Sequence, residues 1–195
     1  MANVQHPGFL PISRGGTTCE MVRKRVLTNN TTAIFKGDAC IIISTGDVTV
    51  TASTNTAVAG VSMGASYVSS GERLDRKHLP AATLYTSSGV NPDNASYVYL
   101  TSNNESQEYE ASIDEAMALL DLNLNYVMVL GAGSTSTGLS GHELDATSRA
   151  TTATLPWRVT DFIIDPKFDV DAADAHVKCR INAGMIEPAL TTTGT

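Results

Sequence analysis

The sequence is poor in charged residues, in cysteine and in long apolar runs. Charged side chains make up 17% of the 195 residues, below the roughly 25% of an average globular domain, and no apolar run approaches the roughly 18 residues that a membrane-spanning helix needs. Cys19, Cys40 and Cys179 cannot complete a set of disulfides and match no C-x-x-C metal spacing. Residues 1–16 lack the basic start and the apolar stretch of a secretory signal. We therefore expect a product of a reducing cytoplasm with no membrane partner.

Positive charge is also scarce, and it is unevenly placed. Residues 1–80 hold eight Lys or Arg against five Asp or Glu, whereas residues 81–195 hold five against fifteen. A nucleic-acid-binding surface needs clustered cations to replace the counterions on phosphates, so the sequence predicts no nucleic-acid partner. The one basic cluster, Arg23, Lys24 and Arg25, fits either a solvated strand edge or a contact with an acidic protein.

Strand-forming residues dominate what is present. Hydrophobic residues make up 42% of the chain, and threonine occurs 24 times and serine 17 times. Turn signals recur about every ten residues, which is the spacing of an all-β sandwich or barrel. The sequence predicts a mainly β fold, a compact β-sandwich or β-barrel-like domain, with strands at residues 21–27, 32–35, 39–44, 48–52, 57–61, 97–100, 107–111, 126–130, 154–164 and 175–181.

Four segments depart from the strand pattern. Residues 1–20 are interrupted by proline and glycine, which predicts an extended N-terminal arm. Residues 63–95 are rich in Gly, Ser, Asn and Asp, which predicts a long surface loop inserted in a single β-rich domain of residues 21–190. An S-x-x-E capping box opens residues 112–122, where we expect the one short helix. Residues 191–195 are polar and are expected to form a flexible tail.

Two loops hold residues of the types found in catalytic motifs. Residues 131–138 are rich in glycine and hydroxyl groups, but no Lys-Ser/Thr pair and no helix start follow, as a phosphate-binding loop requires. Ser140, His142 and Asp145 are the residue types of a hydrolase triad, yet no G-x-S-x-G elbow is present. Side chains this close in sequence seldom assemble a triad. We interpret both segments as polar loops between strands.

Acidic residues form two further groups. The groups are Asp165, Asp169, Asp171 and Asp174 with His176, and Glu105, Glu108 and Glu110. The first lacks the spacing of an EF-hand calcium loop, and the second lacks the neighbouring aromatic platforms expected of a glycosidase site. The four histidines, at positions 6, 78, 142 and 176, are too scattered to propose zinc. The sequence thus predicts no catalytic residue, no cofactor and no metal, and the chain is not expected to be an enzyme.

The segment GAGSTSTGLSGHELDATSRATTATLPWRVTDF, residues 131–162, resembles a stretch found in the capsid decoration, or cement, proteins of tailed bacteriophages. In that family a Gly-Ser-Thr-x-Thr-Gly-x-Ser-Gly loop precedes an acidic residue, then Ala-Thr-Leu-Pro and a strand. The matching positions here are residues 133–141, Asp145 and residues 153–156. Shorter likenesses lie at residues 8–11, 37–40 and 178–182, whereas residues 63–95 depart from the family.

The resemblance implies a non-enzymatic protein of the virion. Such a protein is made in the host bacterial cytoplasm and sits on the outer surface of the capsid, where it binds the major capsid protein. It also implies a homo-oligomer, more often a trimer than a dimer. The alternatives that stay open are another virion component, such as a tail or fibre-base protein, and less favourably a small hydrolase or a carbohydrate-binding domain.

The resemblance also suggests which residues would touch the capsid. An extended arm can become ordered on a partner and widen the contact, so residues 1–20 are the candidate arm. We expect apolar anchors there and cations that meet acidic patches. These contact candidates are Phe9, Leu10, Ile12, Arg14, Arg23, Lys24 and Arg25.

Overall fold

The computed structural model describes residues 8–12, 19–26, 31–53, 57–69, 71–81, 95–102, 106–164 and 173–182. This part of the chain is 51% strand and 4% helical, which confirms the predicted mainly β fold. The strands are β1 Leu10–Ile12, β2 Met21–Arg25, β3 Ile34–Phe35, β4 Ala39–Ile42, β5 Val48–Val50, β6 Gly60–Ser69, β7 Glu72–Arg76, β8 His78–Leu79, β9 Tyr97–Thr101, β10 Glu108–Ile113, β11 Asn125–Tyr126, β12 Met128–Val129, β13 Glu143–Leu144, β14 Trp157–Phe162 and β15 Ala175–Ile181. No helix among the described residues is long and apolar enough to cross a membrane.

Seven strands form a nearly closed, barrel-like sheet. Their order is β11-β14-β15-β10-β13-β12, and β1 adds to β10. Strands β10 and β15 are antiparallel and pair Tyr109 with Cys179 and Ala111 with Val177. Because side chains alternate along a strand, these four residues share the inner face, and all four are fully buried. The end strands β11 and β12 follow one another closely in sequence, which brings the two ends of the sheet together.

The second sheet has six strands. Its order is β2-β9-β6-β4-β5, with β7 added to β6. A parallel bridge between Val26, the residue after β2, and Val48 joins this end of the sheet to β5. Along β9, Val98 and Leu100 are buried, whereas Tyr97 and Tyr99 are half-buried. This sheet therefore has one apolar face and one face that is partly exposed to solvent. Strands β3 and β8 form a separate pair.

The core consists of two apolar clusters, and the first also takes in Ala39 and Val61 of the second sheet. The first cluster contains Trp157, whose ring stacks on Phe9 and meets the ring of Tyr109 edge-on. The second cluster includes Leu100 on β9 and Ala65 and Tyr67 on β6, whereas Val61 of β6 belongs to the first cluster. The two clusters approach each other at Thr101, whose hydroxyl lies 2.8 Å from the Tyr109 hydroxyl. This hydrogen bond satisfies two polar groups that would otherwise be costly to bury.

The helix predicted at residues 112–122 is wrong. Strand β10 continues to Ile113, because its ladder with β15 extends that far. The carboxylate of Asp114 accepts a hydrogen bond from the Ala146 N–H at 2.9 Å and so serves a neighbouring loop. The segment forms only a 3-10 turn at Leu119–Asp121. Pairing with β15 therefore outweighs the local capping signal, which is worth little in a segment this short.

The long surface loop predicted at residues 63–95 is also wrong over its first half. Strand β6 runs on to Ser69, and β7 and β8 follow. The β6–β7 hairpin turns at Gly71, whose φ of 87° suits glycine. Small residues on β6 pack closely against neighbouring strands, so a composition typical of loops also fits this strand. Residues 82–94 lie outside the described part of the chain.

Residues 8–12 of the predicted arm belong to the barrel. Phe9 is fully buried, and its N–H donates to the Gly37 carbonyl at 3.0 Å. Leu10–Ile12 forms β1, which pairs antiparallel with β10. Burial of an aromatic ring and a strand ladder explain why this segment is anchored despite its proline and glycine. The rest of the predicted arm up to residue 18, and the tail at residues 191–195, lie outside the described residues.

Candidate functional site

The glycine- and hydroxyl-rich loop at residues 131–141 is tightly packed against protein. A Cβ on Gly131 would collide with the backbone of Gly141, and a Cβ on Gly133 would collide with the ring of Phe35. Glycine is required here because two backbones, or a backbone and an aromatic ring, approach too closely for a side chain. The space beside these glycines is filled by protein rather than by an anion.

Hydrogen bonds from the same loop tie it to residue Lys36. The Lys36 N–H donates to the Gly138 carbonyl at 3.1 Å, and the Lys36 carbonyl accepts from the Ser140 N–H at 2.9 Å. A backbone group that pairs with another strand in this way contributes to the fold. The loop is therefore a structural joint between the turn after β3 and the strands of the barrel.

The three residues of the candidate hydrolase triad are not brought together. The carboxylate of Asp145 accepts from the N–H of Thr147 at 2.9 Å and caps its own 3-10 turn. The side chain of His142 lies instead beside Asp38, with Nε2 3.4 Å from Oδ1. The hydroxyl of Ser140 accepts from the His142 backbone N–H at 3.0 Å. Ser140 thus shapes the loop rather than being positioned by the imidazole.

The pair formed by His142 and Asp38 is almost completely buried. Their side chains are 5% and 3% exposed, so neither is accessible to a substrate in solution. Burial lowers the pKa of His142, and the nearby Asp38 carboxylate opposes this only in part. The second carboxylate oxygen of Asp38 accepts from the Phe35 N–H at 2.7 Å. The pair therefore stabilises the turn that connects β3 to β4.

The described members of the two acidic groups lie on or next to β10. The carboxylate of Glu110 lies 3.3 Å from Nδ1 of His176 on β15. Burial raises the pKa of Glu143, and the charge of Asp174 raises it further. No group of three or more His, Cys, Asp or Glu within the described ranges is arranged to hold a metal ion. The remaining candidate acids, Asp165, Asp169, Asp171 and Glu105, lie outside the described residues.

The three cysteines are all free thiols. Cys40 and Cys179 are fully buried, and burial raises the pKa of both thiols. A protonated, buried thiol behaves as a small apolar side chain. Cys19 is only partly buried.

Strand β2 carries the predicted basic cluster at one edge of the second sheet. On one side it pairs along its full length with β9. On its other side, the described residues make only the Val26–Val48 bridge, beyond the last residue of β2. Met21 is 57% and Val22 is 40% exposed. Lys24 is half-buried, and the other four residues of β2 are exposed.

Two arginines of β2 have different environments. Arg25 donates from Nε to Oδ1 of the buried Asp47 at 2.6 Å, and this hydrogen bond raises the pKa of Arg25. The guanidinium of Arg23 lies 4.3 Å from the centroid of the Tyr97 ring, and Arg73 approaches the same ring at 5.8 Å. Arg25 thus compensates a buried charge, whereas Arg23 holds its exposed charge over an aromatic ring on the sheet face.

The other contact candidates are less accessible. Phe9 is buried in the first cluster, so the expectation of a surface anchor at this position is not met by the fold. Leu10 and Ile12 are half-buried in β1. Arg14 lies outside the described residues. The exposed edge strand is therefore the best-defined part of the candidate surface.

Two exposed features were missed from the sequence. Leu119 and Leu120 are 78% and 90% exposed, although Met117 before them is buried in the first cluster and Leu122 after them packs against it. Tyr97 lies between two arginines that are fifty residues apart in the chain. Tyrosine alternates with aliphatic residues at positions 97–100, which indicates that Tyr97 points away from the core. This pattern cannot identify the arginines that contact the Tyr97 ring.

Comparison with known proteins identifies no relative of the chain. No family model matches the chain, and neither a curated protein nor a solved structure gives a significant match.

Proposed function

We propose that the chain is a structural protein of a bacteriophage virion that decorates the outer surface of the capsid. In this role it binds the major capsid protein and stabilises the contacts between capsid subunits. It acts without catalysis, as a homo-oligomer for which a trimer is favoured over a dimer. The likeness of residues 131–162 to cement proteins suggests this role.

The observation that carries the proposal is the exposed edge strand β2. It combines cations at Arg23 and Lys24 with apolar side chains at Met21 and Val22. Both apolar side chains are at least 40% exposed. Apolar anchors with a charged surround are the composition of a protein-binding surface. A capsid offers many equivalent sites, so a small contact of this kind gains strength when an oligomer binds several at once.

The packing of the loop at residues 131–141 supports a structural role for the segment that carries the resemblance. Gly131 packs against the backbone of Gly141 at the other end of the loop, and Gly133 packs against the ring of Phe35 on β3. A loop packed in this way contributes to the fold, whichever surface the protein presents to a partner. We therefore assign the loop to the scaffold of the fold, and β2 to the contact with the capsid.

Co-sedimentation with capsids tests the proposal. Purified chain is mixed with the matching mature capsids stripped of it, and bound copies are counted after a density gradient. We expect saturable binding, at a number equal to the major capsid subunits or to a simple fraction of it. Absence of binding, or location of the chain only at a tail or vertex of the virion, would contradict it.

A matched pair of double variants identifies the contact. Arg23→Glu with Lys24→Glu reverses two charges on β2, and Arg76→Glu with Lys77→Glu reverses two exposed charges at the far edge of the same sheet. Arg25 is left unchanged because its loss would remove the ion-pair partner of the buried Asp47 carboxylate. We expect the first variant to lose capsid binding and the second to retain it. Equal binding by both would remove β2 from the contact.

A further inference from the structure

We propose that the N-terminal half of β2 accepts an extended acidic segment of the partner protein as an additional strand. The inference rests on the proposed function for the identity of that partner, the major capsid protein. It goes beyond charge attraction, because it assigns the recognition to the backbone of Met21 and Arg23. Addition of a strand to an exposed sheet edge is a general mode of peptide recognition, in which backbone hydrogen bonds give affinity and alternate side chains give specificity.

The hydrogen bonds at the two ends of β2 establish which backbone groups point to the free edge. The Ser102 N–H donates to the Glu20 carbonyl at 2.6 Å, and the Val26 N–H donates to the Ser96 carbonyl at 3.0 Å. In an antiparallel ladder, both backbone groups of one residue face the partner strand and those of the next residue face away. The even-numbered residues of β2 therefore bond to β9.

It follows that Met21 and Arg23 direct their N–H and C=O groups away from β9. No described strand pairs with them on that side. Strand β5 reaches the same side only at the Val26–Val48 bridge, so the open edge is confined to the beginning of β2. The N–H and C=O groups of Met21 and Arg23 are therefore the four backbone groups with which an added strand would form hydrogen bonds.

The charges around this edge favour an acidic occupant over a second copy of β2. Two β2 strands placed side by side would bring Arg23 and Lys24 of one copy against the same residues of the other, and like charges across strands are destabilising. Glu20 is the one acid in described residues 19–26, and Arg73 adds a cation on the face that Arg23 shares with Tyr97. An extended segment with alternating carboxylates would match these cations and also cover the exposed Met21.

Amide hydrogen exchange of the full chain tests the backbone contact directly. The two probes are stripped capsids and a synthetic peptide of alternating glutamate and valine. We expect the amides of Met21 and Arg23 to become protected on binding, by about tenfold or more, since each gains a hydrogen bond. The amides of Val22 and Lys24 already face β9 and should change little. A contact made by side chains alone would not produce this alternation.

Binding by two variants at one position separates the backbone from the side chain. Arg23→Ala removes the guanidinium, and Arg23→Pro removes the guanidinium and the outward N–H together. Proline is tolerated at an edge strand when its missing N–H faces away from the sheet, and thermal unfolding of both variants checks that they fold. We expect Arg23→Pro to bind capsids about fivefold more weakly than Arg23→Ala, the effect of one net hydrogen bond.

The outcomes separate this inference from the proposed function. If the unmodified chain fails to bind capsids, the proposed function is contradicted, and protection of Met21 and Arg23 by the peptide would still support the strand-addition site. If the chain binds capsids, but neither probe protects these amides, the strand-addition site is overturned while decoration stands. Equal capsid binding by the folded proline and alanine variants would overturn it as well.

Discussion

The ring of Phe9 stacks on the indole of Trp157, with the ring centroids 4.0 Å apart and the planes 5° from parallel. Phe9 directly precedes β1 and Trp157 begins β14, and both residues are fully buried. Tyr109 completes the arrangement by meeting the indole edge-on. Stacked and edge-on aromatic contacts add to the free energy of burial. The residues around Phe9 are therefore part of the folded core.

Truncation of Phe9 is expected to destabilise the whole fold. Phe9→Ala should lower the free energy of unfolding by about 3–5 kcal/mol, since it removes a buried ring and leaves a cavity beside Trp157. Urea unfolding followed by tryptophan fluorescence measures the change. Leu10→Ala, at a half-buried position on β1, serves as the control and should cost about 1 kcal/mol. A loss below that of the control would contradict the core assignment.

The stability of the protein is expected to fall as the solution is acidified through the range in which histidine titrates. Burial holds the pKa of His142 below its ordinary value of 6.5 in the folded chain, so the unfolded chain binds the proton more readily. The stabilising contribution is complete above pH 6.5 and is lost progressively as the pH falls below that value. Urea unfolding at pH 7.5, 6.5 and 5.5 measures this slope. His142→Asn should reduce it, and an unchanged slope in that variant would contradict the assignment.

Glu143 is expected to have the opposite pH dependence. Burial and the charge of Asp174 raise its pKa above the ordinary value of 4.5, so the folded chain favours the protonated carboxyl. Ionisation therefore costs stability as the pH rises above 4.5. Glu143→Gln should raise the melting temperature at pH 7 by about 1–2 °C and have less effect at pH 4. Ser112, which donates to this carboxylate at 3.3 Å, can bond the amide oxygen of glutamine. A lower melting temperature at pH 7 would contradict the prediction.

Local sequence patterns predicted the strands well where one face of the strand is apolar and the other is polar. Residues 175–181 alternate cleanly, and β15 occupies those same residues. The helix predicted at residues 112–122 rested on a local capping pattern, whereas the pairing of β10 with β15 joins residues about sixty positions apart. Glycine and serine in β6 gave the wrong prediction of a loop for a related reason. Their value as strand residues comes from the strands packed against them, which a single sequence does not display.

The candidate surface was predictable only in its charge. The run Arg23–Arg25 identifies a basic cluster, and it lies within the predicted strand at residues 21–27. The division of roles within the cluster depends on distant residues, namely Asp47 beneath Arg25 and Tyr97 beneath Arg23. Contacts over such sequence distances arise from the sheet topology, so the sequence alone treats three different cations as equivalent.

The loop at residues 131–141 is expected to tolerate no side chain at Gly131. A Cβ there would meet the backbone of Gly141 at the other end of the same loop, and the two ends cannot move apart without opening the loop. Gly131→Ala should therefore cost about 3 kcal/mol or more of unfolding free energy, at the upper end of the effects of overpacking.

A matched glycine provides the control for this prediction. Gly71 has a positive φ, but no atom lies within 4 Å of the position of a Cβ, so Gly71→Ala carries the conformational cost alone, about 1–2 kcal/mol. Urea unfolding of the two variants beside the unmodified chain compares a steric collision with backbone strain. A smaller loss for Gly131→Ala than for Gly71→Ala would show that the two ends of the loop can move apart, and its role as a rigid joint would then have to be abandoned.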